Sequence, residues 1–465
     1  MPVELTASAS GGVPIPRLEL SPRRQMLQAI LDPIGYHRRC FATHPGVVRV
    51  RMTTALPQQQ VLIGDPAVLQ ELFNRDASRG ISAPGALNQV LAQVVGEHSI
   101  LMLEPGPHRA RRRLLSPPFH GERLRAYGEL IIGLSGSVLA DLQPGEAFDA
   151  RQRLQRITMG VILTAVVGLH EGARYRRLET LLHRSLQLRT GRFGSLLLFV
   201  PLLRRDIGPW SPGGRLLRIE REIRALLLQE VAERRQALAA GEQRPDVLSL
   251  LMTCRDERGE GLSDAELHDE LITLLSAGHE TTATALTWAL YWIHRQPSVR
   301  ERLLQELESL ERQGEGADPE AISRLPYLGA VVNEVLRIHP VAMLLFPRLA
   351  EQPINLAGYA VEPGDVLLGC IEAVHQRPDL YPEPERFEPE RFLTRSYGPT
   401  EFLPFGGGAR RCIGAALALF EMKLVLATLL RSFPLALCPE SNRPIQPRRR
   451  GFTLGPGRPV RLHLR

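Results

Sequence analysis

The sequence predicts a mainly α-helical protein with a small β subdomain, and three observations support this fold class. Helical periodicity dominates from about residue 107 to 300 and returns at about 327–338. Short β-prone runs occur at 47–52 and 60–63, and again around 354–371. No internal repeat is visible. Helices should therefore form the bulk of the core and the strands a minor sheet.

The N-terminal part of the chain predicts a surface segment followed by one large domain. The first 20 or so residues are rich in serine, glycine and proline, which favours a loose path over the surface. We therefore expect a surface segment over 1–25 and a single domain over 26–465. Within it, Asp65 and Pro66 predict a helix that reaches about Asn74, because proline is favoured at the first helical position.

The longest predicted element is a helix in the second half of the chain. Ser263 and Glu266 have the spacing of a capping box, which marks a helix start. Helical periodicity continues to about Arg295, and Pro297 then ends it. A helix of about 32 residues is roughly 48 Å long, so it should cross the whole molecule.

Composition and charge exclude several classes of protein. The net charge of +7 comes almost entirely from arginine, since Lys423 is the sole lysine. The arginines are scattered and not interleaved with aromatic residues, so no nucleic-acid-binding module is expected. Five cysteines without a C-x-x-C pair imply no disulfide framework. The start of the chain lacks a signal-peptide pattern, and the longest apolar run, 196–203, is too short to span a membrane. We expect a cytoplasmic protein.

The strongest local signal is a glycine-rich run that precedes a cysteine. The run is Phe405-Gly406-Gly407-Gly408-Ala409-Arg410-Arg411-Cys412-Ile413-Gly414. Its glycines permit positive φ and close approach, so a large flat group is expected to lie against the loop. A helix follows Gly414, and a cysteine at a helix N-terminus is favoured as the thiolate, the form that ligates iron. The alternative for such a cysteine is burial without chemistry.

This run resembles the haem-binding signature of the cytochromes P-450, F-x-x-G-x-R-x-C-x-G. The resemblance implies that Cys412 binds the iron of haem b, iron protoporphyrin IX, and that Phe405, Gly406 and Gly414 belong to the cofactor loop. It also implies the cytochrome P-450 fold, with haem between the long central helix and the helix that follows the cysteine.

The centre of the long helix also resembles a family motif. Ala277-Gly278-His279-Glu280-Thr281-Thr282 is similar to A-G-x-[DE]-T-[TS], the oxygen-activation motif. The resemblance implies that Glu280 and Thr281, with Thr282, deliver protons to bound O₂, and that Gly278 lets substrate and O₂ approach the helix. A zinc-protease interpretation of His279-Glu280 fails, because H-E-x-x-H requires a histidine at 283 and Ala283 stands there.

Two further motifs imply structural support for the cysteine loop. Glu334 and Arg337 share a helix face, as in the family's E-x-x-R pair, which joins an arginine from a later P-E-R-F segment. Arg391 is the expected partner. An earlier Pro-Glu-Arg-Phe copy that contains Arg386 leaves this choice open, although the spacing favours Arg391.

Haem carries two propionates, which require cationic donors. By family position the candidates are Arg410, Arg348, His108 and Arg112. For His108 and Arg112 the alternative is a solvated basic helix face, because several arginines are adjacent.

The resemblance further implies a monooxygenase that inserts one atom of O₂ into a lipophilic substrate. Its pocket would be formed by segments 80–102 and 186–203 and by Ala277, Gly278, Val341, Ala342, Leu344 and Phe452. Fatty acids or terpenoids and polyketides or other natural products are equally open as substrates. A haem-thiolate peroxygenase or isomerase, and a haem gas sensor or carrier, remain alternative functions.

The chain has no nucleotide-binding fingerprint, so electrons are expected from a separate protein. An acidic ferredoxin with its reductase is the expected donor, steered to basic residues such as Arg109, Arg113 and Arg411. Arg411 is also open to burial against the haem loop.

Overall fold

The fold is that of a computed structural model, which describes residues 11–52, 59–76, 80–190, 203, 205–208, 210–255 and 259–465. In this part of the chain the α-helices, numbered α1 to α17 in chain order, are Pro22–Leu31, Pro33–Thr43, Pro66–Arg75, Gln89–Val95, Pro105–Leu115, Gly121–Ser137, Ala150–Ile162, Gly172–Thr190, Pro212–Ala239, Val247–Thr253, Asp264–Arg295, Pro297–Arg312, Pro319–Ser323, Pro326–Ile338, Ile371–His375, Arg391–Thr394 and Ala415–Ser432.

The strands are short and form four small sheets. In chain order, β1 to β13 are Val13–Pro14, Val47–Val50, Gln60–Ile63, Ile81–Ser82, Ala147–Asp149, Arg348–Ala350, Ile354–Leu356, Tyr359–Val361, Val366–Gly369, Leu435–Leu437, Pro447–Arg450, Thr453–Pro456 and Arg461–Leu464. The sheet orders are β2-β3-β9-β6-β4, β1-β8-β7, β10-β13-β5 and β11-β12. The prediction of a mainly helical protein with minor β structure is confirmed.

The long central helix is confirmed as α11, Asp264–Arg295, with both hydrogen bonds of the Ser263–Glu266 capping box. The helix predicted after Pro66 is also confirmed. Residues 13–14 depart from the expected loose surface path, because β1 pairs in parallel with β8 through backbone hydrogen bonds. Helix α1 likewise begins at Pro22, inside the predicted surface segment, with proline at its first position.

The chain folds into two compact units. The first comprises residues up to 89, 103–109 and 336–412, and contains the five-stranded sheet. Aliphatic side chains from β3, α3 and β9 (Val61, Leu69 and Leu367 among them) form its core. In this sheet β3 and β9 are parallel, and β9 pairs with β6 in the antiparallel sense.

The second unit comprises residues 90–102, 110–335 and 413–465. Helix α11 packs against α7, α9 and α17 of this unit. Its C-terminal half is buried from Thr282 to Tyr291, because apolar and small residues occupy every side of the helix there. None of the described helices combines the length and apolar character that a membrane span requires.

Candidate active site

The cysteine loop is a compact turn of the first unit. The backbone N–H of Cys412 donates to the carbonyl of Phe405 over 2.9 Å, which closes the turn. Cys412 is exposed, whereas Cys40, Cys370 and Cys438 are buried. Burial raises the pKa of Cys40 to about 11, which disfavours the thiolate there. Cys412 is therefore the most exposed of the five cysteines, since Cys254 is half-buried.

Side chains of the protein itself account for two of the three loop glycines. A Cβ atom at Gly407 would collide with the ring of Phe73, and one at Gly408 would collide with the carboxylate of Asp76. Gly408 also has φ of +63°, a value that favours glycine. The end of α3 lies against both glycines, and the expectation that a flat ligand lies against the loop stays a prediction.

Arg348 lies beside the same loop and is committed to protein partners. Its guanidinium donates to both carboxylate oxygens of Asp76, over 3.1 and 2.8 Å, and to the carbonyls of Phe346 and Gly407. The side chains of Arg348 and Asp76 are only 1% and 3% exposed. The sequence implied a propionate donor here, and the observed partners are those of a buried ion pair.

The other proposed propionate donors differ in burial. Arg410 is buried and donates to the carbonyls of Ala83 and Leu103, over 2.5 and 2.6 Å. His108 is buried within α5, and Arg112 is half-buried. Arg411 is exposed, which answers the question of its burial.

Helix α5 is not a uniformly solvated basic face. Arg109 and Arg113 are exposed, but Arg111 is buried and pairs with Glu270 and Glu266 of α11, over 2.6 and 2.7 Å. Burial raises the pKa of Glu270 to about 7, against the opposing effect of the Arg111 guanidinium. Arg111 is thus part of a buried charge cluster in the second unit.

The E-x-x-R residues Glu334 and Arg337 are completely buried in α14. Arg337 donates to the carbonyls of His375, Pro384 and Arg386, over 2.9, 2.9 and 3.2 Å. These bonds tie the end of α14 to the segment that precedes the cysteine loop.

Of the two P-E-R-F arginines, Arg391 occupies the buried position. Its guanidinium donates to the carbonyls of Pro382 and Arg386, over 3.2 and 3.4 Å. The side chain of Arg386 is 61% exposed and pairs with Glu383. The carbonyl of Arg386 accepts from both Arg337 and Arg391, so the structure brings these two arginines together.

The centre of α11 contains both exposed and buried residues. Ala277 is exposed, and Thr281 is partly exposed, within a helix that is otherwise mostly buried. The hydroxyl of Thr281 donates to the carbonyl of Ala277 over 2.7 Å, and that of Thr282 donates to the carbonyl of Gly278 over 3.0 Å. One side of α11 is therefore accessible at the family motif.

Gly278 has a role in helix packing that the family motif does not indicate. A Cβ atom at this position would lie 2.6 Å from Cδ1 of Ile162, so glycine is required by the packing of α7. The expectation that Gly278 makes room for substrate stays a prediction, and Ala277 is exposed.

Glu280 points to the opposite side of α11. Its carboxylate accepts from Arg151 and from Gln155 Nε2, the latter over 2.6 Å, and both donors belong to α7. The side chain of Glu280 is only 5% exposed. A polar cavity of about 160 Å³ is lined by Arg151, Gln155 and His183, so it reaches the residues that hold Glu280.

The remaining pocket candidates lie in both units. Val341, Leu344 and Phe452 are half-buried, and Ala342 is exposed. The predicted segment 80–102 is described, whereas 191–202 of the segment 186–203 lies outside the described residues.

Sequence reasoning missed Asp76, Arg151 and Gln155. Asp76 is 272 positions from Arg348, and Arg151 is 129 positions from Glu280, so no local spacing pattern links them. The glycines at 407 and 408 were the available signal, because glycine in a loop can mark a close protein neighbour as well as a ligand.

The donor set fits haem better than a metal held by protein alone. In the described residues, no group of three or more His, Cys, Asp or Glu side chains converges as a metal centre would need. Haem iron already has four ring nitrogens, so one accessible cysteine on a short loop suffices as the protein ligand.

Known proteins resemble this chain over most of its length. The sequence profile of the cytochrome P450 family matches residues 26–460. Cytochrome P450 135B1 of Mycobacterium tuberculosis is 36% identical over 407 residues, which cover 87% of this chain and 82% of that protein. Cytochrome P450 138 of the same organism is 32% identical over 378 residues, with 81% and 80% covered.

Solved structures show the same fold. The retinoic-acid-bound cyanobacterial CYP120A1 has a TM-score of 0.80 and 25% identity, with 97% of this chain and 99% of that chain covered. The haem domain of cytochrome P450DA has a TM-score of 0.82 at 21% identity, with 98% and 97% covered.

The fold and the cysteine loop together define a haem-thiolate protein. The chain belongs to the cytochrome P450 family, whose members bind haem through a cysteine thiolate and are generally monooxygenases.

Proposed function

We propose that this chain is a haem-thiolate monooxygenase in which Cys412 is the iron ligand. The observation that supports this most strongly is that Cys412 is exposed on a loop whose sequence matches the family's haem signature. Bound haem would supply the binding and reductive cleavage of O₂, with one oxygen atom going to substrate and the other leaving as water. Two electrons and two protons must then come from outside the substrate.

The protein's own cations would hold the propionates. Arg410, His108 and Arg112 are the proposed donors, and Phe405, Gly406 and Gly414 shape the loop around Cys412. Arg410 already donates to two carbonyls, so its guanidinium is fixed in direction before any carboxylate binds. A fixed guanidinium loses little side-chain entropy when it binds an anion.

Glu280 and Thr281 would move protons. Successive residues of an α-helix point about 100° apart, so the Glu280 carboxylate and the Thr281 hydroxyl face different sides of α11. A proton held by Glu280 reaches Thr281 only if the carboxylate rotates away from Arg151 and Gln155, or if water joins the two groups. The hydroxyl of Thr281 keeps its acceptor lone pairs while it donates to Ala277, so it can receive that proton.

The polar cavity beside α7 is the proposed source of those protons. Its lining residues Arg151 and Gln155 contact Glu280 directly, and His183 lies in the same lining. Water in the cavity would exchange protons with bulk solvent and pass them to Glu280. Thr282 is buried whereas Thr281 is partly exposed, so Thr282 would support the backbone and not the relay.

The proposed electron donor is a separate acidic protein, such as a ferredoxin with its reductase. Exposed arginines, including Arg109, Arg113 and Arg411, together with a net charge of +7, favour association with an acidic surface.

The proposed substrate is lipophilic. The residues assigned to its pocket (Ala277, Val341, Ala342, Leu344 and Phe452) are apolar, and a similar protein, CYP120A1, has retinoic acid bound. This likeness supports the fatty acid or terpenoid class over polyketides. A screen of the three classes by haem absorption shift would rank them, and a preference for polyketides would overturn that choice.

The test of the proposed function is turnover with O₂ and a surrogate ferredoxin and reductase. The wild type should couple consumption of reductant to a singly oxygenated product. Thr281→Ala should keep its haem but release most electrons as peroxide, because proton delivery is impaired. Thr282→Val is the matched control and should remain coupled.

The alternatives give different results in the same assay. A peroxygenase would form product with peroxide and without the electron carrier, and a gas sensor would form none. Unchanged coupling in Thr281→Ala would remove this residue from the relay.

A further inference from the structure

Asp76, the residue that follows α3, makes contacts to the cysteine loop that no recognised motif predicts. Its Oδ2 atom accepts the backbone N–H of Ala409 over 2.7 Å and an N–H of Arg348 over 2.8 Å. Its Oδ1 atom accepts the Nε–H of Arg348 over 3.1 Å. Arg348 in turn donates to the carbonyl of Gly407 over 2.9 Å. The pair therefore bonds to the loop on both sides of Gly408.

The close approach of Asp76 is built into the loop. Gly408 has no Cβ to collide with the carboxylate, and Gly407 has none to collide with Phe73 one turn earlier in α3. Ala409 and Gly407 lie three and five residues before Cys412. A shift of either peptide would reorient the turn that the Cys412 N–H closes on Phe405.

The charges of the pair are balanced and shielded from solvent. Both side chains are at most 3% exposed, so their interaction is little screened by water. Removal of one partner would leave an uncompensated charge beside the loop, whereas removal of both charges would leave a neutral contact.

We propose that Asp76 is a positioning residue for the iron ligand. It fixes the peptides of residues 407–409 and keeps the positive charge of Arg348 neutralised next to the Cys412 loop. The inference rests on the proposed role of Cys412 as haem ligand.

The test compares purified holoprotein of the wild type, Asp76→Asn, Asp76→Glu and the double variant Asp76→Asn/Arg348→Gln. Asp379→Asn is the matched control, because Asp379 is 60% exposed and pairs with Arg377 of the same unit. Three quantities are measured: haem bound per chain, the ferrous–carbonyl absorption band, and the haem reduction potential.

Asp76→Asn should raise the reduction potential, because an uncompensated Arg348 favours the electron-rich ferrous state. It should also lose part of the thiolate-type carbonyl band. Asp76→Glu, which keeps the charge, should restore the potential. The double variant should return the potential towards that of the wild type, and it should recover haem if Asp76→Asn alone fails to bind it. A merely structural role would lower haem content in every Asp76 variant without this charge-dependent order of potentials.

Equal potentials and carbonyl bands in Asp76→Asn and wild type would overturn the proposal, as would a double variant that is no better than Asp76→Asn. A wild-type protein without a thiolate-type carbonyl band would instead contradict the proposed function itself. The two failures are therefore distinguishable.

Discussion

In the loop that ends at Cys412, side chains from distant parts of the chain fix the backbone, whereas the centre of α11 supplies most of its own hydrogen bonds. Asp76 and Arg348 bond to the peptides of residues 407 and 409 from outside the loop. In α11, by contrast, Thr281 and Thr282 bond to carbonyls of their own helix four residues earlier.

We therefore expect the backbone of the cysteine loop to be rigid and the threonine hydroxyls of α11 to be free to change partners. A buried ion pair with several hydrogen bonds holds one geometry, which suits a residue that must keep a metal ligand in place. A threonine hydroxyl that bonds to its own helix can exchange that partner without disrupting tertiary structure. Changes near the cysteine loop should therefore affect cofactor retention, and changes in the centre of α11 should affect the reaction.

The largest expected effect follows from the loss of Arg337, whose hydrogen bonds support the segment that precedes the cysteine loop. Arg337→Ala would remove the donor from the buried carbonyl of His375 and the part-buried carbonyl of Pro384, whereas the carbonyl of Arg386 keeps Arg391 as a donor. A buried acceptor left without a donor costs about 1–3 kcal/mol. We expect little haem-containing protein from this variant, measured as haem absorbance per purified chain. Arg386→Ala is the control, because that side chain is exposed. Normal haem content in Arg337→Ala would show that this support is not needed.

The next effect concerns pH, because one buried histidine lies in the centre of α11 and another contacts the segment that precedes the cysteine loop. Burial lowers the pKa of His279 in α11 to about 4 and the pKa of His375, which accepts the N–H of Leu403, to about 3. The pKa of unfolded histidine is about 6.5. Below that pH the unfolded chain binds protons that the folded protein does not, so stability decreases as the pH falls towards 4.

His279 and His375 should each lower the free energy of unfolding by about 2 kcal/mol at pH 5. Urea unfolding of the protein at pH 7 and pH 5 measures this loss. His279→Leu should reduce it, while His120→Gln, at an exposed position, should not. An equal acid-induced loss in His279→Leu and wild type would mean that His279 does not carry the effect.

The smallest expected effect is on electron delivery. It involves exposed residues of α5 and leaves the cysteine loop and the centre of α11 unchanged. Arg109 and Arg113 are exposed one turn apart on α5. Reversal of either to glutamate should slow the first electron transfer from an acidic carrier several-fold at low salt, without a change in substrate affinity. Arg23→Glu, an exposed arginine of α1, is the control. Reduction rates that are insensitive to salt and to these reversals would place the docking surface elsewhere.

The sequence predicted the positions of helices better than the tertiary contacts that particular residues make. Helix α11 could be predicted to the residue, because a capping box and a proline mark its ends. The glycines of the cysteine loop and Gly278 were predicted as places for a ligand, and the sequence did not indicate that Phe73, Asp76 and Ile162 lie close to Gly407, Gly408 and Gly278. Such partners are distant in sequence, and a glycine indicates only that a protein group or a ligand lies close to the backbone. Two similar P-E-R-F copies likewise left Arg386 and Arg391 unresolved until burial distinguished them.

The most direct test is the ferrous–carbonyl spectrum of the wild type, Cys412→Ala and the control Cys438→Ala. We expect the wild type and Cys438→Ala to show the thiolate-type carbonyl band after which the family is named, and Cys412→Ala to lack it. A Cys412→Ala protein that keeps this band would contradict the assignment of Cys412 as the haem ligand, and with it the proposed function.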